Sequence, residues 1–145
     1  MIKLRYIDEH NFEACSELMC TKEQCQFTNA PLWSLLQAAY SDLREKTKLY
    51  AICDGKTVVG MVRLDFHHPD CYMFTNLIID QRFQRRGFAT EAIRAALRIF
   101  RKNGRHPIVK IKAAPENAAA IALYEKMGFS FVEKAADFVL YTLAL

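Results

Sequence analysis

LIIDQRFQRRGFATEAI, residues 77–93, is the stretch that decides the fold. It opens on the end of an apolar run, FTNLIID (74–80), and closes on the start of an amphipathic helical pattern. Between the two, QRRGFA (84–89) places two arginines and a glycine at a strand–helix seam. A turn with solvated charge is one reading of that seam. A cradle for phosphate is the other. The first turn of a helix carries unpaired backbone N–H groups and a partial positive charge, and anions bind there. Gly87 lets the backbone approach a ligand closely, and Ala89 keeps the first turn uncrowded. Arg82, Arg85 and Arg86 either add charge around such a pocket or stay in solvent. By spacing alone Q-x-x-G-x-A is a weak signal; an apolar strand before it and a long helix after it give it weight.

Charge points to the same segment. Residues 81–105 hold eight Lys and Arg against one acid, Glu91, a net +7. The whole chain nets +4, so the remainder nets −3. A local basic excess implies a local anionic partner. Nucleic acid is the less suited partner, because apolar residues at helical spacing break the basic run and no recognised reader motif accompanies it.

The 145 residues, 52% hydrophobic and 25% charged, suit one globular domain, 1–145, able to bury a core without staples. Cys15, Cys20, Cys25, Cys53 and Cys71 form no CxxC pair and match no zinc-ligand spacing. No metal is expected, and the thiols read as reduced. The N-terminus lacks a signal-peptide pattern and no run reaches membrane-spanning length. The expectation is a cytoplasmic chain without a membrane partner.

Period changes divide the chain into elements. KLRYI (3–7) alternates as a strand. Asp8 starts a helix carrying Phe12, Cys15, Leu18 and Met19; residues 20–31 read as a loop, and 32–44 as a second helix with Leu35, Leu36, Ala39, Tyr40 and Leu43 on one stripe. Residues 48–54 and 57–66 flank Asp54-Gly55-Lys56, a hairpin signal, and 71–80 adds a third strand after the HHPD turn (67–70). From Gly87 the apolar face is Ala89, Ala92, Ile93, Ala96, Leu97 and Phe100, ending near Asn103-Gly104. A strand (107–113), a helix (118–127) between Asn117 and Gly128, and two strands (129–134, 137–145) complete an α/β order of seven strands and four helices.

At this level of detail LIIDQRFQRRGFATEAI resembles the acetyl-coenzyme A motif of the GNAT superfamily of N-acetyltransferases: an apolar strand, a short link, then [QR]-x-x-G-x-[GA]. KIKAAPENAAAIALYEKMGFSFVEK (110–134) resembles the same family's strand, N-x-x-A-x-x-x-Y helix and Gly-Phe ending. The two motifs fall in the family's order and spacing. A third stretch, TKEQCQFTNAPLWSLLQA (21–38), is similar to the loop and helix of bacterial spermine/spermidine acetyltransferase-like proteins at Thr21, Glu23, Gln24, Phe27, Ser34, Leu35, Gln37 and Ala38, and departs from it at TNAP (28–31).

The resemblance implies a single GNAT-like domain with a mixed, mostly antiparallel sheet of about seven strands flanked by about four helices. It implies acetyl-CoA as cofactor. Backbone groups of Leu77, Ile78 and Ile79 would pair with the pantetheine arm. The segment Gln84, Arg85, Arg86, Gly87, Phe88, Ala89 and Thr90 would hold the pyrophosphate. Asn117 would bond the arm, cap its helix, or both. Tyr124 would protonate the departing sulfur, or serve as core alone. Glu23, Phe27 and Trp33 would border the acceptor. No base is legible: Thr75 and Asn76 are not competent, and Glu23, Asp65 and Glu133 are candidates only. His67 and His68, adjacent in a turn, should point apart into solvent.

Acetyl transfer to an amine needs a neutral nucleophile, donors for the oxyanion and a proton for the thiolate. The implied function is an acetyl-CoA-dependent N-acetyltransferase acting on a primary amine, a polyamine first, by direct attack in a ternary complex. The rivals are a protein N-terminus, a lysine or an aminoglycoside as acceptor, or a catalytically silent acyl-CoA-binding regulator. A homodimer is left open.

Overall fold

Short connections force β2 (Thr47–Asp54), β3 (Thr57–Asp65) and β4 (Tyr72–Ile79) into an antiparallel meander. The structure, a computed structural model, describes residues 1–27, 33, 35–37 and 47–145. Strand β1 (Ile2–Tyr6) pairs with β2 (Thr47–Asp54), β2 with β3 (Thr57–Asp65), and β3 with β4 (Tyr72–Ile79), all antiparallel. The β2–β3 hairpin turns at Gly55, φ +61°, a conformation that glycine adopts without steric cost. Helix α3 (Phe88–Asn103) then carries the chain over to β5 (Ile108–Ala113), which lies parallel to β4. After helix α4 (Ala118–Lys126), β6 (Ser130–Lys134) and β7 (Val139–Ala144) finish a seven-stranded sheet in the order β1-β2-β3-β4-β5-β7-β6.

Two features of β4 shape everything downstream. The β4–β5 pairing covers only Tyr72↔Val109 and Met73↔Lys110, so the strands part company from Phe74 onward. On its other edge, the register slips between Met61↔Ile78 and Arg63↔Thr75, leaving Asn76 and Leu77 opposite Val62 alone. Asn76 absorbs that bulge at φ +49°, a region that asparagine tolerates better than most residues. Gly60 lies close to the bulge, and a Cβ there would collide with the carbonyl oxygen of Ile78.

The sheet is covered on both faces. The apolar stripe of α3 (Ala92, Ile93, Ala96, Leu97, Phe100) is buried in one cluster with Tyr50, Ile52, Val62, Leu64, Tyr72 and Phe74. Tyr72 and Phe100 stack at 4.4 Å. Truncating a ring buried like Phe100 typically costs about 3–5 kcal/mol. A second cluster packs Cys15, Leu18 and Leu35 against Ala51, Cys53 and Met61. Helix α3 ends at Gly104, φ +68°, where its pattern predicts.

The N-terminal third departs from expectation. Helix α1 spans Phe12–Ser16, with Asn11 rather than Asp8 at its N-cap. Its stripe is split: Cys15 and Leu18 are buried, while Phe12 and Met19 are exposed. The expected loop at 20–31 contains a helix, α2 (Lys22–Cys25), started by Thr21, whose Oγ1 accepts the Gln24 N–H at 3.3 Å. Residues 33 and 35–37 are helical, in line with the reading of 32–44; Ala39, Tyr40 and Leu43 lie outside the described residues. His67 and His68 do not point apart. Both are half-buried, with ring centroids 4.2 Å from each other, because the chain leaves the extended conformation at Asp65. Among the described residues no helix is long and apolar enough to cross a membrane, and no cluster of His, Cys, Asp and Glu suits a metal ion.

Candidate functional site

The parting of β4 from β5 opens a cleft of about 530 Å³. Its floor is the unpaired edge of β4, Phe74 to Ile79. One wall comes from β5 and α4: Ile111 to Ala114, Asn117, Ala120, Leu123 and Tyr124. Phe83, Gln84, Arg85, Gly87, Phe88 and Ala89 form one end, while Cys20, Gln24 and Phe27 also contribute to the lining.

At the loop end the backbone itself is the binding surface. Arg85 (φ +63°) and Gly87 (φ +79°) are both left-handed, which turns successive amides toward one side. None of the N–H groups from Arg85 to Thr90 donates to an acceptor among the described residues. A Cβ at Gly87 would meet no protein atom within 4 Å, so the space above it is open. The positive end of a 16-residue helix lies behind these donors.

The loop is fastened from below by a residue that the sequence reading passed over. Asp80 is buried, and its carboxylate accepts the Met19 N–H at 3.0 Å, the Arg82 N–H at 2.9 Å, and Arg82 Nε and Nη2 at 2.8 and 3.2 Å. Burial pushes this carboxyl up, but the hydrogen bonds from Arg82 and Met19 outweigh it and hold it below the usual carboxylate range. Arg82 is therefore committed to Asp80. Gln84 Nε2 donates to the Ile79 carbonyl at 3.0 Å and to Gln24 Oε1 at 2.7 Å. Arg86 lies over the Phe83 ring at 5.7 Å.

Tyr124 is both core and cleft wall. Its ring packs edge-on to Phe74 at 6.1 Å and beside Phe129 at 6.0 Å. Its hydroxyl has no hydrogen-bond partner among the described residues, and burial pushes it up to about 12. Such a phenol keeps its proton at neutral pH and can donate it. Asn117 Oδ1 accepts the Ala120 N–H at 3.3 Å, capping α4, while the residue also lines the cleft.

Beside Asn76 lies a polar chain drawn from three elements. Arg63 Nε donates to Thr75 Oγ1 at 3.0 Å, Arg63 Nη1 to Gln37 Oε1 at 2.7 Å, and Thr75 Oγ1 to Asp65 Oδ2 at 3.3 Å. Asp65 is buried, and burial pushes its carboxyl up despite the pull of Arg63, His67 and Thr75.

The structure thus gathers Leu77, Ile78, Ile79, Gln84, Arg85, Gly87, Phe88, Ala89, Asn117, Tyr124 and Phe27 around one cleft. Arg86, in the loop, and Thr90, in the first turn of α3, are not part of the lining. Glu23 and Trp33 are exposed and line nothing there; from this segment the lining takes Gln24 of α2 and Phe27 of the turn after it. Glu133 is exposed on β6, which pairs with β7 and not with the strands of the cleft. Missed from sequence were Asp80, Thr75, Cys20 and Phe83. Only Asp80 had a local signal, as an acid capping the turn with Arg82 two residues on.

A sheet split at one parallel pair, with bare amides at one end of the split and a buried tyrosine on its wall, has the shape and donors that suit an extended anionic ligand along a strand edge. The chain belongs to the acetyltransferase (GNAT) family, whose model matches residues 12–129. Among curated proteins it is similar to mycothiol acetyltransferase of Corynebacterium glutamicum (strain R), 26% identical over 99 residues, which are 68% of this chain and 34% of that protein. The chain therefore spans about a third of the length of that relative. Among solved structures it resembles spermidine N-acetyltransferase from Vibrio cholerae in complex with CoA and spermine (TM-score 0.79, 17% identity, 99% of this chain and 95% of that one). It also resembles the ribosomal-protein-S18-alanine N-acetyltransferase from Escherichia coli (TM-score 0.72, 15% identity, 99% and 94%). Likeness at these identities concerns the fold, and it singles out no branch of the family.

Proposed function

We propose that this chain is an acetyl-CoA-dependent N-acetyltransferase that acylates a primary amine by direct attack in a ternary complex. One observation supports the reading: a single cleft is lined by Arg85, Gly87, Phe88 and Ala89, whose amides are bare, by the free edge of β4 and by Tyr124. Acetyl-CoA, when bound, supplies an activated thioester. The open space over Gly87 and the unspent N–H groups suit its pyrophosphate. Leu77, Ile78 and Ile79 offer backbone groups to the pantetheine arm as a further strand would, with one N–H donating to the oxygen on which charge develops. Asn117 orients the arm while it caps α4. Tyr124 donates its proton to the departing sulfur, and its high pKa keeps that proton available across neutral pH.

The acceptor is a small amine bearing one charge at the reacting end. The resemblance at 21–38 and the Vibrio cholerae neighbour favour a polyamine, yet Cys20, Gln24, Phe27, Thr75 and Asn76 include no carboxylate. A second ammonium would have to reach past them to Glu23. Free-thiol release from acetyl-CoA with spermidine, n-butylamine and a glycyl peptide tests both points. Release with any of them above hydrolysis is expected; none, with CoA still bound, would leave a silent CoA-binding module.

A further inference from the structure

We propose that Asp65, acting through the Thr75 hydroxyl, takes the proton that the attacking amine must lose. This rests on the acetyltransferase reading and supplies the base that it lacks.

The geometry is specific. Thr75 lines the cleft one residue before the Asn76 bulge, next to the strand edge assigned to the pantetheine arm. Its oxygen accepts from Arg63 Nε and its hydrogen goes to Asp65 Oδ2. One lone pair is left for a group in the cleft. Arg63 Nε has a single hydrogen, and it is spent on Thr75. Although Nε approaches Asp65 Oδ1 to 3.3 Å, that oxygen has no hydrogen-bond donor. A buried carboxylate with one oxygen lacking a donor is costly as an anion, and taking a proton at Oδ2 relieves that cost.

Rival bases fall away by position. Glu23 and Glu133 are exposed and outside the lining. His67 contributes nothing to the cleft wall. The charged and titratable groups acting on Asp65 are Arg63 from β3 and His67 and His68 from the following turn, with Thr75 facing it from β4. Burial still raises its carboxyl above the usual range, closer to the task of a base.

In the step, the ammonium gives a proton to Thr75 Oγ1 as the threonine's own proton passes to Asp65 Oδ2. The freed nitrogen lone pair forms the N–C bond to the acetyl carbon, and the C–S bond breaks. The sulfur takes the Tyr124 proton, and the second proton shed by nitrogen returns through solvent to the tyrosine. Arg63 stabilises the threonine oxygen during the hand-over.

The test is the pH profile of kcat/KM at saturating acetyl-CoA, with spermidine, n-butylamine and glycylglycine as probes. With the two alkylamines wild type should be level from about pH 7 to 9, where both remain ammonium ions in solution, since the enzyme deprotonates the bound ammonium, and should fall at acid pH as Asp65 protonates. Asp65→Asn should lose about 10²–10⁴-fold at pH 7. It should regain about tenfold per pH unit toward the free amine's pKa, ~10 for the two alkylamines and ~8 for glycylglycine. Thr75→Val should show the same slope, and Thr75→Ser should restore the plateau. Calorimetric CoA binding checks that each variant is folded. Loss by one constant factor at every pH, or no loss in Thr75→Val, overturns the relay while leaving acetyl transfer intact. No thiol release by wild type with any probe removes the acetyltransferase reading and the relay together.

Discussion

The two ends of the cleft are built from different materials. The loop end is backbone: amides of Arg85–Thr90 aimed by two left-handed residues and held by one buried carboxylate. The other end is side chains: Phe27 brought in from the N-terminal segment and Thr75 from β4, with Arg63 and Asp65 behind Thr75. Backbone recognition suits a ligand that every member of a family shares, because amides are present whatever the side chains are. Side-chain recognition can change without disturbing the sheet. The difference predicts that damage at the loop end acts on cofactor binding, and damage along the wall and at the other end acts on turnover.

The largest effect should follow Gly87→Glu. At φ +79° a side chain carries about 1–2 kcal/mol of left-handed strain, and a carboxylate there repels the pyrophosphate. Calorimetry with CoA should show at least a ~100-fold loss of affinity. Unaltered affinity would break the comparison at its stronger end. Next comes Tyr124→Phe, which keeps the packing on Phe74 and Phe129. Steady-state kinetics should show kcat down about 10²-fold or more with CoA affinity unchanged; equal losses in both would make Tyr124 a packing residue only.

A smaller effect is expected for Asp80→Asn, which removes the charge that fastens the loop to Arg82 and Met19. CoA should bind about tenfold more weakly, equivalent to roughly 1.4 kcal/mol. The folded pKa of Asp80 is depressed. Its stabilisation is therefore fully present above the unfolded value near ~3.9 and lost as pH falls through the folded one. Denaturant midpoints measured from pH 6 downward should fall less steeply in the variant than in wild type.

The same contrast explains what could be read beforehand. The apolar run, Gly87 and the helical period after it are contiguous, so the strand–turn–helix was legible at residues 74–103. So were the Asn117 cap and the Gly128 stop. The sheet's splitting was not legible, because it depends on β4 pairing with β5 across only Met73 and its neighbour. The bulge at Asn76 leaves no pattern in a strand read by alternation. Thr75 looked inert because a hydroxyl's role depends on what stands behind it, and Arg63 and Asp65 reach it only through the β3–β4 register. Of Glu23, Phe27 and Trp33 only Phe27 lines the cleft, and it does so from the turn after α2, a helix too short to have a periodic signature.

Amide hydrogen exchange with and without CoA tests the central claim most directly. The account predicts slowed exchange on CoA addition at residues 77–79 and 85–90, with 23 and 33 unchanged. Binding of CoA with no protection at 85–90 would contradict it.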